Sequence, residues 1–280
     1  MAAMNAAVVV VTGASEGIGA AGARALAAQG HQVVPVGRSA EKTRAIAAEV
    51  GNEGHVADFA DLARVRALAA ALAERYPRID VLVNNAGLIA GNQRTVTGDG
   101  HELTWQVNHL APFLLTVSLH DQLVAAGGRV ITTSSAAGAA RGARVVLDDL
   151  DAERRYNALR AYQASKLANV LFTRELARRW GPQGVSAAAF HPGMVRTRWG
   201  HAGPASVRLA VRSPLRRTMR SPEQGADTLV WLAIADPGTE WTSGGYYHDR
   251  KPARPSPLAD DVKLAGELWA RSESATGVAG

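Results

Sequence analysis

Tyr162 and Lys166 stand one helical turn apart in the stretch "RAYQASKLANVLFTRELARRW", residues 160–180. Lysine is scarce in this chain, with four lysines against 27 arginines. A solvated helix face has no reason to prefer one cation to the other, so a lysine here asks for a chemical reason. Positions i and i+4 share a helix face, so the two side chains can project into one site. A free phenol titrates near pH ~10. An ammonium about 4 Å away, at an effective dielectric of about 20, is worth about 4 kcal/mol, or some three pKa units before desolvation of the lysine reduces it. The pair therefore predicts a tyrosine able to exchange its proton near neutral pH. Lysine can shift its pKa and join a proton relay, whereas arginine holds its proton too tightly. Tyr156 and Arg160, also four apart, lack that property.

Such a pair needs a frame. Apolar strand-like runs cover 6–12, 31–37, 54–59, 79–86, 128–135, 184–192 and 244–248, and stretches with helical spacing lie between the early ones. Strand–helix alternation with nearly continuous apolar strands predicts an α/β fold, a parallel sheet covered on both faces. No repeat, low-complexity linker or composition break interrupts the chain, so one domain over 1–280 is expected.

The first run leads straight into "TGASEGIG", Thr12 to Gly19, and then a helical stretch. Glycines at 13, 17 and 19 let backbone turn tightly and approach a pyrophosphate, whose charge a helix N-terminus favours. The second run ends "VPVGRSAEK". Where NAD-binding sheets carry an acid for the ribose 2′-hydroxyl, this chain has Gly37, then Arg38 and Ser39, which suits a 2′-phosphate and so NADP(H) over NAD(H). Arg38 also suits the plain opening of a solvated helix, and Glu16 inside the loop works against a phosphate. Pro112, four residues after Asn108 in a helical stretch, cannot donate the i→i−4 bond, which leaves the Asn108 carbonyl without its usual partner.

The 280 residues are 47% hydrophobic and 20% charged, with no cysteine. That composition excludes disulfides and thiolate metal sites, and the eight histidines show no metal spacing such as HExxH. Net charge is +6, yet no finger, basic zipper or aromatic–basic RNA motif accompanies it, so nucleic acid is not expected as a partner. The run Ala6 to Val11 is too short to span a bilayer, and a soluble cytoplasmic protein is expected.

"TGASEGIG", "NNAG" (84–87), "VNHLAPF" (107–113), "TTSS" (132–135), "YQASK" (162–166) and "HPGMVRT" (191–197) occur in that order. Together they resemble the short-chain dehydrogenase/reductase family over nearly the whole chain. Residues 148–179 and 243–269 further resemble its retinol-dehydrogenase-like branch, which includes bacterial ketoreductases of polyketide tailoring. The resemblance implies a doubly wound sheet of seven parallel strands, order 3-2-1-4-5-6-7, and reduction of a ketone or aldehyde with NADPH. Tyr162 would donate the proton and Lys166 would also hold the nicotinamide ribose. Ser135 would bind the substrate oxygen, with Ser134 as the rival, and the Asn108 carbonyl would bind a relay water. The cofactor would further meet Gly13, Ser15, Glu16, Gly17, Ile18, Gly19, Arg38, Ser39, Asp58, Phe59, Asn85, Ala86, Gly87, Pro192, Gly193, Val195 and Thr197. Asn84 would stabilise the sheet, Asp58 would contact adenine or merely cap a helix, and His191 would be structural. Residues 194–222 would form a lid with seven arginines and no acid, read either as a field for an anionic or carrier-linked substrate or as a solvated basic face. Trp199 and Met219 could contact a ring. Rival readings are alcohol oxidation by the same groups and a non-catalytic NADP sensor or scaffold. A homodimer or homotetramer is compatible with the resemblance.

Overall fold

The computed structural model describes residues 6–196, 203–204 and 218–278. Its sheet follows the order β3-β2-β1-β4-β5-β6-β7-β8. The first seven strands are parallel: β1 (Val8–Thr12), β2 (Gln32–Gly37), β3 (His55–Val56), β4 (Val81–Asn84), β5 (Arg129–Thr133), β6 (Ser186–Phe190) and β7 (Gly245–His248). The expected seven-strand sheet is extended by β8 (Lys251–Pro252), antiparallel to β7 across a tight turn in which Asp249 and Arg250 both have positive φ. A two-residue strand carries too few side chains to show a period, so its sequence gives no strand signal. The third strand is likewise only two residues long, not the six expected over 54–59.

Alternation sorts the strand valines between two cores. Val9, Val11 and Val33 face α1 (Gly17–Ala27), α2 (Ala40–Val50) and α8 (Pro222–Ile234), where Leu26, Ile46 and Leu229 are buried. Val10 and Val34 face the opposite layer, α3 (Leu62–Arg75), α5 (Ala111–Ser118), α7 (Ala158–Trp180) and α9 (Val262–Thr276). Each fully buried Val or Leu contributes about 1.5–3 kcal/mol, so the two faces lock the register. Local chemistry sets the helix ends. Ser39, Asp61 and Asn157 accept backbone N–H bonds at the starts of α2, α3 and α7, and Gly51 ends α2 in the left-handed region.

Between β4 and β5 the chain builds α4 (Leu103–Trp105), a π-turn over Gln106–Leu110, α5, and α6 (His120–Ala126). The plain helix expected around Asn108 is therefore corrected to a π-turn immediately before Pro112, in which the Ala111 N–H reaches the Gln106 carbonyl. Proline withholds an α-type bond from Asn108, and the wider turn accommodates the missing donor.

Candidate active site

The carboxyl ends of β1, β2, β4 and β5 open into a cavity of about 640 Å³. At one end lie Gly13, Ser15, Glu16, Gly17 and Ile18, with Arg38, Asp58 and Phe59 beside them. The glycine loop is packed backbone on backbone. A Cβ on Gly19 would come within 2.3 Å of the Gly13 carbonyl oxygen, so no other residue fits without shifting the turn. Asn85 ties this loop to the next strand end: its amide side chain donates to Thr12 O at 3.0 Å, and its N–H donates to Thr12 Oγ1 at 3.0 Å. The end of β2 explains its missing acid. A Cβ on Gly37 would sit 2.5 Å from Thr43 Oγ1 and 2.8 Å from Ser15 Cβ, which leaves no room for a carboxylate side chain.

At the other end α7 presents a buried polar stripe, Tyr162, Ser165, Lys166 and Asn169, at helical spacing. Lys166 Nζ lies 5.8 Å from the centre of the Tyr162 ring and donates to Thr133 O at 3.0 Å; Asn169 Nδ2 donates to the same oxygen at 3.2 Å. The side chain of Ser135 hydrogen-bonds that of Tyr162. Ser134 instead donates to Lys166 O at 2.7 Å, a backbone tie that turns its hydroxyl away. Both serines lie just past β5, which ends at Thr133. Asn108 sits behind the cavity wall. Its Oδ1 accepts from Leu88 N at 2.8 Å, and its Nδ2 donates to Leu88 O at 2.9 Å and to Ser165 Oγ at 3.0 Å. Gly87 closes this contact, since a Cβ there would lie 3.3 Å from Lys166 Nζ.

Electrostatics here correct one expectation. Burial pushes the Tyr162 phenol up to about 12, opposed by its hydrogen bond with Ser135. Burial also brings the Lys166 ammonium down to about 8. The sequence argument had the ammonium acidify the phenol, but removal from water disfavours the charged form of both groups and is the largest influence on each. Tyr162 therefore holds its proton firmly at neutral pH.

Residues 13–245 match the family described as Enoyl-(Acyl carrier protein) reductase. The chain belongs to the short-chain dehydrogenase/reductase family. It is an oxidoreductase. It is 47% identical over 276 residues to the protein named "Putative daunorubicin C-13 ketoreductase DnrU" of Streptomyces sp. (strain C5), covering 96% of this chain and 92% of that one. It is 39% identical over 283 residues to retinol dehydrogenase 13 of Homo sapiens, covering 96% and 84%. A short chain dehydrogenase from Burkholderia cenocepacia J2315, solved in complex with NADP, superposes with a TM-score of 0.65 at 26% identity, covering 87% of this chain and 96% of that one.

In this short-chain dehydrogenase/reductase the cavity wall also includes Asn85, Ala86, Gly87, Ser135, Tyr162, Lys166, Pro192, Gly193 and Val195. Three expected residues lie off it. Gly19 packs beneath Gly13, Asn108 acts from behind Gly87, and Ser39 caps α2 through the Lys42 N–H. Asp58 is on the wall and accepts from Ala60 N in a turn, while Asp61 takes the cap of α3. Asn84 points into the sheet's other layer, donating to Thr116 Oγ1. The His191 ring stacks on His248 at 3.9 Å, and burial pushes it down to about 4, as suits a structural histidine. Tyr156 donates to Gly91 O, away from the Tyr162 site. Thr197, Trp199 and most of the expected lid, residues 197–202 and 205–217, lie outside the described residues. No helix among the described residues is long and apolar enough to cross a membrane.

Sequence reasoning missed Ser165, which anchors Asn108, and Asn169, which shares the Thr133 carbonyl with Lys166. Their signal was legible: polar residues at 162, 165, 166 and 169 recur at helical spacing and mark one face of α7. It also missed Tyr246 on β7, whose hydroxyl donates to Ser135 O at 3.1 Å. Nothing in the local sequence could have found that long-range contact.

Proposed function

We propose that this protein reduces a bulky, uncharged ketone or aldehyde to the alcohol with NADPH. The observation that carries the reading is the cavity itself, with Arg38 and the glycine loop at one end and Tyr162, Lys166 and Ser135 at the other. The residues fit a dinucleotide: the close-packed Gly13–Gly19 turn opens α1 onto the cavity, and no acid can occupy position 37 against a 2′-phosphate. Arg38 supplies the fixed cation that a 2′-phosphate favours. Solved relatives in complex with NADP support the same preference.

When bound, the reduced nicotinamide supplies the hydride to the carbonyl carbon. Ser135 orients the carbonyl oxygen by hydrogen bonding, and Tyr162 Oη gives that oxygen its proton. A phenol that keeps its proton at neutral pH is already in the state needed for donation when the reaction runs as reduction. Lys166 returns a proton to the phenolate that remains, and its lowered pKa makes that return feasible near neutral pH. Asn108, fixed at both ends of its amide, holds the wall behind this relay and offers the carbonyl freed by Pro112 to a linking water. The reacting end is otherwise lined by Leu88, Ile89, Val107, Leu159, Met194 and Met219, so an apolar ring system suits it better than a charged one. The ketoreductase name of the 47% identical relative supports the same direction.

Incubation with NADPH and a panel of bulky apolar ketones, followed by loss of NADPH absorbance, tests the reading. Tyr162→Phe is expected to retain NADPH binding while turnover falls roughly 10²–10⁴-fold. An unchanged rate would remove Tyr162 as the proton donor.

A further inference from the structure

Ser135 lies just past the end of β5, where the sheet ladder no longer holds the chain. Its neighbour Ser134 is tied twice, by its N–H to Phe190 O at 2.7 Å and by its Oγ to Lys166 O at 2.7 Å. Ser135 opens a turn. Its Oγ accepts from Ala137 N at 3.2 Å besides meeting the Tyr162 side chain, and its carbonyl accepts from Gly138 N at 3.0 Å. Those backbone bonds lie within the turn. Gly138 fixes the far end of the turn against α7, since a Cβ there would come within 2.7 Å of the Lys166 carbonyl carbon. The near end, at Ser135 itself, is fixed by a side chain 111 residues away: the Tyr246 hydroxyl donates to Ser135 O at 3.1 Å.

Tyr246 reaches that carbonyl from two strands away. Thr132, Ala189 and Tyr246 stand in one row across β5, β6 and β7. Neighbouring strands are about 4.8 Å apart, so a side chain on β7 meets the end of β5 only by passing over β6. The β6 residue in that row is Ala189, whose methyl is buried in the same core cluster as the Tyr246 ring and leaves the ring room to cross. His191, the residue before Pro192 of the cavity wall, packs against this ring with centroids 5.6 Å apart. Tyr246 is 3% exposed and is not itself part of the cavity wall. Burial pushes its phenol well above the ordinary range, opposed by the Ser134 hydroxyl beside it, so it remains a donor throughout the neutral pH range.

We propose that Tyr246 is a positioning residue for the reduction: by fixing the Ser135 carbonyl, it sets the direction of the Ser135 hydroxyl toward Tyr162 and the substrate oxygen. The inference rests on the role given to Ser135 above. Buried tyrosine hydroxyls generally find a partner, so the bond alone says little. Its choice of partner says more, because it joins β7 to the main chain of the residue whose hydroxyl meets Tyr162. A carbonyl held on both sides, by Gly138 and by Tyr246, cannot swing without breaking a bond, and the planar peptide carries the residue's side-chain direction with it.

Steady-state kinetics of Tyr246→Phe, made in the wild type and in Ser135→Ala, provide the test with NADPH and a ketone that the wild type reduces. Phenylalanine keeps the ring over Ala189 and against His191, and the Gly138 donor keeps Ser135 O from being orphaned. The urea midpoint and the NADPH Kd should therefore stay near wild type. In the wild-type background kcat should fall roughly three- to tenfold, the effect of one neutral hydrogen bond, while the KM for the ketone changes less than about twofold. Added to Ser135→Ala, the same substitution should lower kcat less than about twofold, because the hydroxyl it directs is already gone. An unchanged kcat in Tyr246→Phe overturns the inference. So does an equal loss in both backgrounds, since the tyrosine would then act by a route other than Ser135. A wild type that is disabled by Tyr162→Phe but not by Tyr246→Phe overturns this inference alone. A wild type that reduces no ketone overturns the proposed function first, and this inference with it.

Discussion

In the proposed mechanism Lys166 is a single side chain that trades stability for chemistry. It is 3% exposed, and burial takes its ammonium from an ordinary 10.5 to about 8. At pH 7 the lysine is charged in both folded and unfolded chains, so the folded state carries the whole desolvation cost, about 3 kcal/mol from that shift. The cost is fully present below pH ~8 and fades between there and ~10.5, where the unfolded lysine also loses its proton. Lys166→Met should therefore be more stable than the wild type at pH 7, by roughly 1–2 kcal/mol once the lost bond to Thr133 O is counted. Thr133 O keeps the Asn169 donor, so no buried carbonyl is orphaned. Urea unfolding at pH 7 and at pH 10 checks this, since the advantage should shrink at the higher pH. The same variant should be nearly inactive. In the wild type, turnover in the reducing direction should fall as pH rises through about 8, because a neutral Lys166 has no proton to return to Tyr162. A variant that is both less stable and fully active would contradict the buried-relay account on each count.

The elements hold these residues by devices of very different visibility. The π-turn at Gln106–Leu110 places Asn108 between Leu88 and Ser165, and Pro112 is its cause. Pro112→Ala restores an N–H that can bond the Asn108 carbonyl and draw the turn toward a regular α-helix. The expected result is a lower kcat with little change in the KM for NADPH, together with a new amide at residue 112 that is protected from hydrogen exchange; equal kcat would separate the turn from the relay. Proline at 112 was readable in the sequence, and so was the freed carbonyl. The change of helix type was not, because it depends on how the neighbouring turns share the slack. The same contrast runs through the fold. Runs such as Val8–Val11 exposed β1 at once, since a strand buried on both faces must be apolar throughout. The apolar run over 54–59 pointed to β3 but not to its two-residue length, while the two-residue β8 left no pattern and depends on Asp249 and Arg250 accepting left-handed backbone. At the site, Tyr162 and Lys166 declared themselves by type and spacing. The phenol's raised pKa did not, because it follows from burial, and burial is a property of the whole packing.

On the scale of the molecule, the two faces of the sheet divide the labour. Glycine loop and Arg38 belong to the α1–α2–α8 side, where Leu26, Ile46 and Leu229 form the core. Tyr162 and Lys166 ride on α7, which is clamped from behind by α9. Trp269 of α9 is the centre of that clamp: it packs edge-on against Phe113 at 5.0 Å, stacks on Phe172 at 5.8 Å, and carries the Arg179 guanidinium 4.7 Å above its ring. Its indole N–H donates to Glu273 at 2.8 Å, so neither the apolar nor the polar part of the ring is idle. Trp269→Ala would leave a large void between α5, α7 and α9, and such truncations cost about 3–5 kcal/mol. The urea midpoint should fall accordingly. Dinucleotide affinity of the folded fraction, measured by NADP⁺ titration well below that midpoint, should stay within about twofold of wild type, because the phosphate end is seated on the opposite core. Loss of affinity in step with loss of stability would mean instead that α7 and the glycine loop are one cooperative unit, and that the separation of binding from proton delivery across the sheet does not hold.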